Sequence, residues 1–170
     1  MKGGNRLTNG TDKNKNEMNK VLEMTIRQNA DLIYRLAYQY IGNFSDAQDI
    51  LQEVSLSLVT GNPPFDDESH LRNWICKVTI NKCRNFYKHN KKIEWEELRE
   101  DIVASESEPL SLKSEVMSLP HKYRIVLYLY YYEKYSIKEI SQILRINMNT
   151  VGARLRRGRE KLKIILTEGE

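Results

Sequence analysis

The chain has 170 residues, 40% of them hydrophobic and 29% charged, which is enough to bury a core without help from disulfides or metal. Its longest apolar run, Ile125 to Tyr132, is far shorter than a bilayer span, and the opening Met1–Lys20 segment has no apolar stretch of signal-peptide type, so a cytoplasmic protein is expected. The formal net charge of +4 is modest, but acids and bases are segregated along the chain, and that segregation points to an anionic partner more than the total does.

Met1 to about Asn19 is rich in Asn, Lys and Gly without periodicity and reads as a disordered tail. From Val21 to about Ile41, Ile26, Ala30, Ile33, Ala37 and Tyr40 recur at helical steps and predict a long amphipathic helix stopped near Gly42. A second helix opens at Ser45, with Gln48 placed to complete a capping box, and buries Ala47, Ile50, Leu51, Val54 and Leu58 before Gly61 and the Pro63-Pro64 pair end it. Asp46, Asp49 and Glu53 line its exposed side.

The third predicted helix, about Leu71 to Lys91, has two apolar faces. Leu71, Trp74, Ile75 and Val78 form one, and Cys76, Ile80, Cys83 and Tyr87 the other, so it is expected to be sandwiched. Lys77, Asn81, Arg84 and Lys88 form the stripe left for solvent, and the surrounding block from Arg72 to Lys92 contains no acid, which favours an anionic ligand over simple solubility. Cys76 and Cys83 share a face but stand about 10 Å apart by helix rise, too far to bridge, and read as buried hydrophobes. His70, His89 and His121 show no ligand spacing, so neither a metal site nor a cofactor is expected.

Ile93 to Glu108 is an acidic connector, relieved only by Arg99. Pro109 restarts helical patterning through Leu110, Leu112, Val116 and Met117, and Pro120 opens an apolar helix, HKYRIVLYLYYYEKY. Its tyrosines Tyr128, Tyr130, Tyr131 and Tyr132 read as core packing in preference to base-stacking groups. Ser136 to Lys163 then spells two helices joined by a tight turn: Ser136 and Glu139 form a capping box, Tyr135 is placed to staple against Ile140, and Val151, Leu155, Leu162 and Ile165 make the apolar line of the second helix. Thr150, Arg154, Arg157 and Lys161 fall on one flank, as a helix entering a DNA major groove requires. No run alternates with period two long enough to claim a sheet, so the class is all-α. Paired carboxylates beside a basic pocket, a phosphate-cradling glycine loop and a nucleophile with an adjacent base are all missing from the sequence, so an enzyme is not expected.

The pattern from about Asn19 to Leu166 resembles the extracytoplasmic-function sigma factors, the small promoter-recognition subunits of bacterial RNA polymerase. DLIYRLAYQYIGNFSDAQDILQEVSLSL resembles the family's first conserved region, WICKVTINKCRNFYKHNKK its minus-ten helix, and LPHKYRIVLYLYYYEKYSIKEISQILRINMNTVGARLRRGREKL its minus-thirty-five reader. The resemblance implies two small helical domains joined by a flexible acidic linker: a tail at 1–19, a polymerase and minus-ten domain at 20–92, the linker at 93–108 and a minus-thirty-five domain at 109–167. It implies that Asp46, Asp49, Gln52 and Glu53 dock on core polymerase. Phe65 would stack against a base flipped from the melted strand, and Lys77, Asn81, Arg84, Asn85 and Lys88 would meet the minus-ten element. Thr150, Ala153, Arg154, Arg157 and Lys161 would face the minus-thirty-five element. The implied partners are core RNA polymerase, promoter DNA and a membrane-tethered anti-sigma factor, and the implied regulon serves stress or the cell envelope. Gly152 and Ala153 stand where the family often has larger polar residues, Arg145 where it has a helix-ending glycine, and Asn85 and Gln48 where it has acids. The alternative is a stand-alone helix-turn-helix regulator of duplex operator DNA.

Overall fold

The computed structural model describes residues 9–64, 66–90 and 112–168. Its helices are α1 (Asn9–Ile41), α2 (Phe44–Thr60), α3 (Glu68–Asn90), α4 (Leu112–Ser118), α5 (His121–Leu127), α6 (Ile137–Leu144) and α7 (Met148–Glu168), with a π-helical turn at Tyr128–Tyr132 after α5. Among the described residues all regular structure is helical, as an all-α chain requires, and no helix is long and apolar enough to cross a membrane.

The helix starts differ from those the sequence suggests. Helix α1 begins at Asn9, inside the segment read as a tail; its side chains from Asn14 to Lys20 are all exposed, so no apolar stripe signals the helix. Gly42 ends α1 with a left-handed φ of 81°, its N–H bonded to the Tyr38 carbonyl at 2.8 Å. The cap of α2 is Asn43, not Ser45: Asn43 is extended (φ −128°, ψ 133°) and its side chain accepts from the Asp46 N–H at 3.0 Å. This earlier start is accompanied by Phe44 stacking on Tyr38 at 4.5 Å, which ties the α1–α2 corner. Helix α3 also begins early, because Asp67 caps it: its carboxylate accepts from His70 N–H and its carbonyl from Leu71 N–H, both at 2.8 Å.

Ile75, Cys76, Ile80 and Cys83 are fully buried, and α3 packs on α1, α2 and α6, so the two-faced helix is sandwiched as its pattern predicts. Pro120 precedes α5, which is buried from Tyr123 to Leu127. The tyrosine cluster divides. Tyr128 is buried, but Tyr130, Tyr131 and Tyr132 are exposed, contrary to the core reading. The wide turn there, closed by Glu133 N–H on the Tyr128 carbonyl at 3.1 Å, shifts the register from the one an α-helix would keep.

One continuous apolar core runs through both halves of the chain, from Ile33, Ile50 and Ile80 to Val126, Ile140, Leu144 and Val151. Helix α5 lies against α1, and α6 against α3, so the C-terminal helices seat directly on the N-terminal three.

Candidate nucleic-acid interface

The helix-turn-helix is built from local hydrogen bonds. The Glu139 N–H donates to Ser136 Oγ at 3.2 Å and the Ser136 N–H donates to the Glu139 carboxylate at 2.8 Å, closing the capping box. The Ser136 hydroxyl, followed by its N–H, holds the Glu139 carboxyl below the usual carboxylate range. Tyr135 and Ile140 are both buried in the same apolar cluster, and the Tyr135 hydroxyl lies 3.5 Å from Cys76 Sγ. Arg145 turns the chain in the left-handed region (φ 51°, ψ 46°), the conformation for which glycine is the easier residue. Asn147, which the sequence reading passed over, caps the recognition helix by accepting from the Thr150 N–H at 2.7 Å. On α7, Val151 and Leu155 are buried, Thr150, Ala153 and Arg154 half-buried, and Arg157 and Lys161 exposed.

On α3, Asn85 and Lys88 are exposed while Lys77, Asn81 and Arg84 are half-buried, so the stripe is not wholly a solvent face. Arg84 donates to the Leu144 carbonyl at the end of α6. Burial raises the Tyr40 phenol above its ordinary value, opposed by the nearby charges of Arg84 and Arg154. Burial likewise lowers Arg154, and the like charge of Arg84 adds to that effect. The two basic surfaces therefore converge on Tyr40. Phe65 and the acidic connector lie outside the described residues.

On α2, Asp49, Gln52 and Glu53 are exposed and Asp46 is half-buried; Glu53 pairs with Lys82 of α3 at 3.3 Å. The same face carries Leu56 and Val59, 61% and 54% exposed, which the sequence reading missed. Leu56 stands four residues after Gln52 and three after Glu53, and Val59 three after Leu56, so their place on this face is legible in the sequence.

Arg124 was also missed. It is 3% exposed, yet its guanidinium donates to the carbonyls of Gln39 (2.5 Å), Met117 (2.7 Å) and Leu119 (3.2 Å). The end of α1 supplies an unpaired helix carbonyl with partial negative charge, which suits a buried cation. Burial pushes the Cys76 thiol up to about 11, moderated by Tyr135, and raises Cys83 as well, so both behave as the buried hydrophobes their spacing suggested.

Three helices, the third carrying a basic stripe, with a capped helix-turn-helix seated on them, make the architecture of a helical DNA-binding protein. Residues 25–93 match the model of sigma-70 region 2 and residues 110–162 that of sigma-70 region 4. The ECF RNA polymerase sigma factor SigW of Bacillus subtilis is 30% identical over 153 residues, covering 78% of this chain and 82% of SigW. RNA polymerase sigma factor SigV of the same organism is 28% identical, covering 91% of this chain and 96% of SigV. The chain belongs to the ECF RNA polymerase sigma factors. Among solved structures, the sigma factor RpoE of Bartonella quintana, in complex with the anti-sigma factor NepR, has the same fold, with a TM-score of 0.59 and 15% identity over 89% of this chain and 97% of that one. CnrH in complex with the cytosolic domain of CnrY is similar, with a TM-score of 0.59 and 18% identity over 88% of this chain and 89% of that one.

Proposed function

We propose that this sigma factor reads a minus-ten element with α3 and a minus-thirty-five element with α7, and brings core polymerase to both through α2. The observation that carries the reading is the coexistence of two basic helical faces with an acidic-apolar face on a third helix. On α3, Asn81 and Asn85 offer paired donor and acceptor groups for base edges, while Lys77, Arg84 and Lys88 supply phosphate affinity. On α7, Arg154 and Arg157 are the base-edge candidates, Thr150 and Ala153 line the groove side, and Lys161 meets phosphate. Phe65 would stack on an unpaired base. Asp46, Asp49, Gln52 and Glu53, together with Leu56 and Val59, form the polymerase face: charge steers the encounter and apolar area supplies the affinity.

The domains divide at an acidic linker over 93–108, with the polymerase and minus-ten domain at 20–92 and the minus-thirty-five domain at 109–167. The protein performs no chemistry of its own, works in the cytoplasm, and serves a stress or envelope regulon under a membrane-tethered anti-sigma factor. The similar structure of RpoE, in complex with the anti-sigma factor NepR, supports an anti-sigma partner.

Run-off transcription with core polymerase, set beside a gel shift with the free protein, tests the reading. Promoter-specific transcripts that require both components are expected. Tight operator binding by the free protein, with no gain in initiation, would establish a stand-alone regulator instead.

A further inference from the structure

Helix α1 begins at Asn9, well before the sigma-70 region 2 match starts at residue 25. Its first turns project from the bundle: Leu22 is the first of the described α1 side chains to be buried, and every one from Asn14 to Val21 is exposed. Little in the sequence holds these turns helical. Gly10 and the asparagines at 9, 14, 16 and 19 are poor helix formers, and a helix of this length is marginal on its own. A partner that covers one face would supply the missing stability.

Such a face exists. Met18, Val21 and Met24 follow one another at steps of three, within an arc of about 120° on the helix. They stand 54%, 45% and 58% exposed. Large apolar side chains gathered on one side of a helix are the anchors by which it enters an apolar groove, and the unbranched thioethers of methionine adapt to the groove they meet.

The position of the stripe says which partner supplies the groove. Helix α2 turns back along α1 after Gly42 and Asn43, with Phe44 on Tyr38 at 4.5 Å. Its 17 residues rise about 25 Å, as far as α1 does between Met24 and Ile41. The last turns of α2, with the exposed Leu56 and Val59, therefore end near the level of Met24. Five of the twelve large apolar side chains exposed among the described residues gather at this one end of the α1–α2 hairpin. A concentration of that kind marks a protein interface, and α2 is the helix assigned to core polymerase.

We propose that Met18, Val21 and Met24 extend the polymerase-docking surface of α2 onto α1, and that the projecting turns of α1 seat as a helix in an apolar groove on core RNA polymerase. The proposal rests on the assignment of α2 as the polymerase face. With no interior packing of their own, these turns open readily in the free protein and are fixed in the complex.

The test uses full-length protein. Met18→Gln/Val21→Gln/Met24→Gln removes the apolar stripe while keeping good helix formers at all three positions. Its affinity for core polymerase, measured by fluorescence titration, is expected to fall about tenfold or more with thermal unfolding unchanged. Hydrogen exchange on the wild-type protein gives a second reading: amides from Asn14 to Met24 should exchange fast in the free protein and slow about tenfold or more on binding core polymerase. Wild-type affinity in the folded triple variant would overturn the proposal, as would exchange over these turns that is equally fast in the complex. Sedimentation showing a wild-type dimer that the triple variant loses would also overturn it, giving the stripe to a second copy of the chain. Leu56→Ser/Val59→Ser is the control. If it binds polymerase as tightly as wild type, α2 leaves the interface, while the triple variant and the exchange data still decide whether the α1 turns meet polymerase.

Discussion

Gly158 of α7 lies against Leu127 of α5 so closely that a methyl group added at Gly158 would stand 3.1 Å from Leu127 Cδ1 and 3.3 Å from Tyr123 Cβ. The glycine lets the two helices approach, which is how the recognition helix is anchored to its support. Gly152, six residues earlier on the same helix, has nothing within 4 Å of the same added atom. Gly158→Ala is therefore expected to destabilise the protein, since an overpacking cost of about 1–3 kcal/mol exceeds a helix-propensity gain of ~1 kcal/mol. Gly152→Ala collects the gain alone and should raise Tm. Paired thermal melts by circular dichroism decide this; a lower Tm for Gly152→Ala, or a higher one for Gly158→Ala, would contradict it.

Leu56 and Val59 give a second expectation. Both side chains are largely exposed, so Leu56→Ser/Val59→Ser should leave the unfolding free energy within about 0.5 kcal/mol of wild type. Its affinity for core polymerase should fall by tenfold or more, as loss of ~1.4 kcal/mol of apolar contact gives. Pull-down or fluorescence titration with core enzyme measures it, and wild-type affinity would remove these residues from the polymerase face.

Arg154 and Arg157 differ in a way that separates binding from packing. Arg157 is exposed, whereas Arg154 is half-buried near Tyr40. Arg157→Ala is expected to relax discrimination at one minus-thirty-five position by about 1–3 kcal/mol without altering the fold. Arg154→Ala should alter both promoter preference and thermal stability. In vitro selection of promoter variants reads the first effect, and unchanged preference in both proteins would reduce these arginines to solvated charges.

The Ser136–Glu139 capping box makes stability depend on pH. Because the folded Glu139 carboxyl is held below its usual range, its contribution is fully present above the unfolded value of about 4.3. That contribution is lost as pH falls through the lower folded value. Glu139→Gln, which keeps a side-chain acceptor for the Ser136 N–H but cannot titrate, should show a weaker loss of stability between neutral pH and that acid limb. Parallel acid denaturation curves would assign the pH dependence to other carboxylates.

The local signals in the chain were strong because they rest on short-range chemistry. The Ser136-x-x-Glu139 spacing, the glycine at 42, the proline at 120 and the two apolar faces of α3 each specify a hydrogen bond, a backbone angle or a periodicity within a few residues. Those features were enough for the all-α class, for the sandwiched third helix, for the helix-turn-helix and for the resemblance to ECF sigma factors. Where two local signals competed, as at Asn43 and Ser45, spacing alone could not choose between them. Leu56 and Val59 are readable as apolar positions on the acidic α2 stripe, but spacing alone does not tell that they stay exposed.

Tertiary structure decided which charges are available. Arg84 and Arg124 look alike in the sequence, yet one is drawn to the Leu144 carbonyl and the other is sealed beneath the end of α1. Neither outcome follows from periodicity, because each depends on where a helix remote in the chain leaves an unsatisfied carbonyl. The same holds for Gly158, whose role exists only because Leu127 crosses over it. Helix by helix, the chain's chemistry is local; the seam at which α6 meets α3 and α5 meets α1 arises only when the helices pack.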